Sequence, residues 1–139
     1  MMILLDTNVF SELMQFRPDA AVIAWIDSQE PDSLYTCSIV VAEVLSGLDL
    51  MTAGKRQDQL REKAEFMFSS LFGSRICNFD QVAARAYGAI LKIRKALGRP
   101  IDEMDALIVA TALVNGATLV TRNIPDFEYC GVPLINPWL

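Results

Sequence analysis

The sequence contains no histidine, and that absence excludes more chemistry than any other feature of the chain. Without imidazole there is no Ser-His-Asp or Cys-His triad, no histidine general base and no zinc site built on ring nitrogens. Cysteine is scarce as well. Cys37, Cys77 and Cys130 are odd in number and far apart, so they offer neither a CxxC metal pair nor a disulfide framework, and they read as small core residues. No apolar run approaches the roughly 18 residues of a membrane span, and the first residues lack the basic start and long apolar stretch of a signal peptide. A cytoplasmic protein with no membrane partner is expected. Positive charge is also in deficit: 12 basic against 17 acidic residues give a net charge of -5, which argues against bulk adhesion to nucleic acid or anionic membranes. The deficit is uneven. Residues 1–50 hold eight acids and only Arg17 as a base, whereas residues 75–99 hold six bases and only Asp80 as an acid, which leaves room for a locally basic surface on an acidic protein.

What is present suits one compact domain over residues 1–139, since 53% of the chain is hydrophobic and 21% charged. Short apolar runs alternate with helical patterns. "MILL" before Asp6, "SLYTC" at 33–37, "RICNF" at 75–79, "ATLVT" at 117–121 and "PLIN" near the end read as strands. Helices are expected over 19–28, 39–50, 55–72, 81–97 and 103–115, with Asp19, Ser38, Asp80 and Asp102 as caps. Strands alternating with helices predict an α/β fold, a mainly parallel sheet covered on both faces, with ligands at the carboxyl ends of its strands.

Four acids stand out against that frame. Asp6 ends the first strand, where a carboxylate has an ordinary use as the cap of a short helix from Thr7 or Asn8 to Met14. Glu43 in "SIVVAEVLSGL" has Ile39, Val40 and Gly47 one helical turn away, so it points along a largely apolar stripe. An unpaired buried carboxylate costs several kcal/mol, and Arg17 is the only base in the first 50 residues. Asp105 precedes the apolar stretch "ALIVATALV" and lies three residues beyond Asp102, on the same side of the helix. Asp102 and Glu103 are explained by the helix amino terminus, Asp105 less well. Asp126 follows the strand at 117–121 in a turn marked by Asn123 and Pro125. A parallel sheet could bring all four to one edge, where they would repel one another and demand cations or raised pKa values. Oxygen-only ligands select Mg2+ or Mn2+ over zinc, and such ions in a carboxylate cluster suit phosphodiester hydrolysis without histidine.

At these residues the chain resembles the PIN-domain ribonuclease toxins of bacterial type II toxin-antitoxin pairs, the VapC family, including its FitB-like plasmid-stability members. The likeness runs from "LLDTN" through "VVAEVLSGL", "GRPIDEMDALIVATAL" and "GATLVTRNIPDF" to "GVPLINPW". The resemblance implies a three-layer α/β/α sandwich, Mg2+- or Mn2+-dependent cleavage of RNA, and inhibition by a small VapB/FitA-like antitoxin. Homodimers, assembled further with the antitoxin into hetero-oligomers, are implied too. The family's four acids carry over onto Asp6, Glu43, Asp105 and Asp126, and its polar positions onto Thr7, Asn8, Thr121 and Asn123. Asp102 and Glu103 stand beside the motif with a supporting or additional ligand role left open.

Basic residues must bring RNA to such a site. Arg85, Lys92 and Lys95 share one stripe of the 81–97 helix, Arg99 extends it, and Arg122 sits between Thr121 and Asn123. The Phe-rich "EFMFSSLF" at 65–72 reads mainly as core, any exposed surplus marking an interface. Two other readings suit the same acids: a carboxylate-metal phosphoesterase acting on DNA or small phosphate esters, and a catalytically silent interaction module whose acids are only caps.

Overall fold

A computed structural model describes residues 1–139. The first apolar run forms β1 (Ile3–Leu5), buried at all three positions, and Asp6 then caps α1 (Thr7–Leu13). The remaining elements are α2 (Ala20–Asp27), β2 (Leu34–Cys37), α3 (Ser38–Asp49), α4 (Lys55–Phe66), β3 (Ile76–Cys77), α5 (Gln81–Ala96), α6 (Glu103–Val114), β4 (Thr118–Val120), α7 (Ile124–Phe127) and β5 (Leu134–Ile135). Every pairing in the five-stranded sheet is parallel, in the order β3-β2-β1-β4-β5. The chain steps one way from β1 to β3, crosses over to β4 and continues outward to β5. Right-handed crossovers therefore put helices on both faces, the three-layer arrangement expected. The connections leaving β1 and β4 run in opposite directions, so the topological switch point lies between these two neighbours.

Three elements differ from the sequence-based expectation. The 55–72 helix stops being α-helical at Phe66, and Met67–Phe72 forms a wider π-helical turn. That turn lays Phe68 and Phe72 against Phe10, with ring centroids 4.5 and 5.8 Å away, a packing gain that outweighs the weaker backbone geometry. Phe66 and Leu71 of the same segment remain exposed. Ser38 is not a cap but the first residue of α3; its hydroxyl instead accepts from the Phe79 N–H at 3.0 Å, tying α3 to the segment after β3. The turn around Pro125 is the short helix α7, because proline is accommodated in a first helical turn. Asp19, Asp80 and Asp102 cap as expected, accepting from Val22, Ala83 and Met104 N–H groups respectively. Nearly every side chain of α6 from Ala106 to Ala112 is buried, in keeping with its apolar circumference. The three cysteines are free thiols; Cys37 and Cys130 are buried and Cys77 is half-buried.

Candidate active site

The switch point brings the ends of β1 and β4 together. The Asp6 N–H donates to the Val120 carbonyl at 2.9 Å, extending the ladder by one residue, so Asp6 and Thr121 emerge side by side. Both are buried. The Asp6 carboxylate takes three donors: the Thr7 N–H at 2.8 Å on Oδ1, and the Thr121 hydroxyl at 2.8 Å and the Asn8 amide at 3.3 Å on Oδ2. The cap and the candidate ligand are thus the same residue: Oδ1 caps α1, and Oδ2 is held by Thr121 and Asn8 at the end of the sheet. Thr121 also receives the Asn123 N–H at 3.1 Å, and Asn8 Oδ1 receives the Arg122 N–H at 3.2 Å. Of the four polar positions, Thr7, Asn8 and Thr121 work through their side chains, while Asn123 contributes its backbone.

Glu43, on the second turn of α3, is half-buried rather than sealed in an apolar stripe. No base pairs with it. The Thr7 hydroxyl donates to its Oε1 at 2.6 Å, which joins α1 to α3 and places Glu43 next to Asp6. Asp105 occupies the third position of α6, half-buried, and its carboxyl makes no hydrogen bond. Asp126 is exposed on α7, its carboxyl likewise without a hydrogen bond.

The charges of these acids bear on Asp105 and Asp6. Burial pushes the Asp105 carboxyl up to about 7, reinforced by the charges of Asp6, Asp102, Asp126 and Glu43. Asp6 is also raised, chiefly by burial, with Glu43 and Asp126 adding to the shift and the Thr121 and Thr7 hydrogen bonds opposing it. No arginine or lysine is ion-paired with any of the four; the pairs present involve Asp49, Asp32 and Glu128. The donor set is all oxygen and short of positive charge, which fits a hard divalent cation. As they stand, no three of the acids surround one point closely enough to hold an ion. Asp102 adds its charge to Asp105 and keeps its capping role; Glu103 is exposed and makes no side-chain hydrogen bond.

The basic candidates divide. Arg122 lies at the site, its guanidinium 5.0 Å over the Trp138 ring, with its carbonyl receiving the Asn136 amide at 3.3 Å. Arg99 is engaged with Glu128 at 3.8 Å and lies 5.3 Å over Tyr129. Arg85, Lys92 and Lys95 are exposed on α5 without an ion pair or side-chain hydrogen bond. A fourth base of that helix, Arg94, is 4% exposed, and the stripe of surface charges does not include it. Its signal was of the kind that drew attention to Glu43: a charged residue in register with the buried Ala83 and Ile90.

A parallel α/β sheet covered on both faces, with an all-oxygen acidic site at its switch point, defines the class. The PIN domain model matches residues 3–127. The plasmid stability protein StbB of Pseudomonas syringae pv. tomato is 45% identical over 137 residues, 99% of both chains. The VapC ribonuclease Y4jK of Sinorhizobium fredii is 42% identical over 137 residues, covering 99% of this chain and 98% of that one. In the crystal structure of FitAcB from Neisseria gonorrhoeae, a chain 39% identical matches with a TM-score of 0.91 over 99% of each chain. This chain belongs to the PIN-domain family, within its VapC/FitB group of toxin-antitoxin proteins.

Proposed function

We propose that the whole chain, residues 1–139, acts as one PIN domain and as the toxin of a type II pair: a metal-dependent endoribonuclease restrained by a VapB/FitA-like antitoxin. The observation that carries this reading is the convergence of acids without a basic partner at the switch point, where Thr7 bonds both the Asp6 and Glu43 carboxylates and Thr121 bonds Asp6. Asp6, Glu43, Asp105 and Asp126 would hold Mg2+ or Mn2+. An ion held by these residues would supply the activation of water and the charge neutralisation that phosphodiester hydrolysis needs.

The chain's own groups divide the remaining work. Asp6, fixed by three donors, is the anchor of the site. Thr7 orients Glu43. Asp105, its carboxyl pushed up to about 7, would hold a cation only in its deprotonated form. Arg122, stacked on Trp138 at the rim, presents its N–H edge to substrate phosphate, and Arg85, Lys92, Lys95 and Arg99 extend the path for RNA. The exposure of Asp126 and the partial exposure of Asp105 open the site toward a polymer rather than a small enclosed ester. The relatives' names, VapC ribonuclease and toxin FitB, support RNA as substrate and an antitoxin as partner. A cytoplasmic homodimer that joins its antitoxin in a larger complex completes the proposal.

The test is a panel of defined RNA, DNA and nucleotide substrates in Mg2+ and in Mn2+. RNA cleavage abolished by EDTA is expected; intact RNA beside cleaved DNA or nucleotide would overturn the substrate assignment. Expression alone should arrest growth, and co-expression with the adjacent small reading frame should relieve it.

A further inference from the structure

Arg94 is the only buried base in the chain, and no carboxylate pairs with it. Burying a guanidinium is costly unless its donors are met, usually by an acid. Here backbone carbonyls meet the Nε and Nη1 donors. Nε donates to the Arg99 carbonyl at 2.7 Å, and Nη1 donates to the Asp126 carbonyl at 2.7 Å and the Glu128 carbonyl at 3.2 Å, with Cys130 Sγ 3.9 Å away. One planar fork therefore spans two segments distant in sequence. The first, at Arg99, leads into α6, whose third residue is Asp105. The second runs on from Asp126 itself.

That second segment does not hold its shape unaided. Tyr129 has φ 65°, the only non-glycine residue in the left-handed region, a conformation that side chains adopt at a cost and keep only when the surroundings impose it. The Arg99–Glu128 pair and the Arg99–Tyr129 stacking join the same two segments at the surface, but both are solvent-exposed contacts of small strength. The buried fork is the strong tie.

We propose that Arg94 is a positioning residue for the acidic site, holding the Asp126 segment against the approach to α6 and so setting the separation of the Asp126 and Asp105 carboxylates. The inference rests on the proposed metal-binding role of those acids. Arg94 touches neither carboxyl group; it acts through the main chain that carries one and leads to the other. Lysine cannot replace it, because a single ammonium cannot reach the Arg99 carbonyl and the 126–128 carbonyls together.

The experiment compares the parent with Arg94→Lys, Asp126→Asn, the double variant, and Arg75→Lys as a control. Arg75 is another partly buried arginine that donates to backbone carbonyls, those of Leu34 and Leu71, but away from the acids. Hydrogen exchange in EDTA is read first. In Arg94→Lys, amides of 126–130 and 99–105 should exchange at least about tenfold faster while β1 and α3 stay protected. Mn2+ affinity by calorimetry is read second. Arg94→Lys should weaken it by about tenfold, Asp126→Asn should weaken it as well, and the double variant should bind as weakly as Asp126→Asn alone, since both changes remove the same interaction. Arg75→Lys should change neither readout beyond its own neighbourhood. Unchanged exchange at 126–130 in Arg94→Lys, or affinity losses that multiply in the double variant, would overturn the inference. A parent that binds no Mn2+ while Arg94→Lys still loosens 126–130 would instead refute the metal site and leave the tie standing as structural, which also overturns the positioning role. Should Arg94→Lys fail to fold, Arg94→Gln is measured in its place, and unfolding of both in EDTA would assign Arg94 to stability alone.

Discussion

Asp105→Asn offers the sharpest test of the acidic cluster, because it predicts a gain of stability from removing a candidate metal ligand. In the metal-free protein the Asp105 carboxyl titrates at about 7, whereas in the unfolded chain it titrates in the ordinary range near 4. The folded state therefore holds a proton that the unfolded state releases, and stability falls as pH rises between these values. The cost is absent below about pH 4, accumulates from there to about 7, and is complete above it. A fully dry group with such a shift would cost about 4 kcal/mol, but Asp105 is half-exposed, and solvent screening reduces this to about 1–2 kcal/mol. Asparagine loses about 0.5 kcal/mol of favourable interaction with the α6 dipole at its third position. It loses no hydrogen bond, since Asp105 makes none. The net expectation is a gain of about 1 kcal/mol at pH 8, or about 3–5 °C in melting temperature for a domain of this size. Thermal melts in EDTA from pH 8 to pH 5.5 measure it, and the advantage should shrink by roughly half over that range as the parent's carboxyl becomes protonated. In saturating Mn2+ the order should reverse, because the parent gains more from the ion. An Asn variant that melts below the parent at pH 8, or whose advantage is independent of pH, would refute the assignment of Asp105 to a cluster of like charges.

Asp6→Asn and Asp105→Asn should each lower RNA cleavage by at least about a hundredfold with the circular dichroism spectrum unchanged, while Asp19→Asn, which alters only the α2 cap, should cleave at the parental rate. Glu43→Gln keeps an acceptor for the Thr7 hydroxyl and strands no base, so in EDTA it should melt no lower than the parent, yet gain less from manganese and lose most cleavage; a less stable variant equally stabilised by manganese would remove Glu43 from the site. Thr121→Val preserves shape but takes the hydroxyl from Asp6 and the acceptor from the Asn123 N–H; a loss of about 1–3 kcal/mol in chemical denaturation is expected, and a neutral result would mean that the hydroxyl does not hold the anchor.

Periodicity and end signals are local properties, and the sequence carried them well. The buried run before Asp6, the apolar circumference of α6 and the caps at Asp19, Asp80 and Asp102 each depend on a few adjacent residues, so each was legible without a fold. The absence of histidine is a property of composition alone, and it directs the chemistry to oxygen ligands whatever the fold. The candidate acids were also visible as single residues, because each sits at an element boundary or breaks an apolar stripe. Packing between distant segments decided the rest. Thr121 meets Asp6 across 115 positions and Thr7 meets Glu43 across 36, and no local pattern encodes such pairings. The π-helical turn at Met67–Phe72 exists because Phe10 lies beneath it. The proton affinity of Asp105 is a property of its burial and of three other chain segments that carry charge toward it. Arg94 belongs to the tertiary structure most completely: its helix position is written in the sequence, but the carbonyls it binds are assembled only when the loop after α7 closes onto the end of α5, and hydrogen-bond geometry over a few ångströms depends on that closure and not on composition.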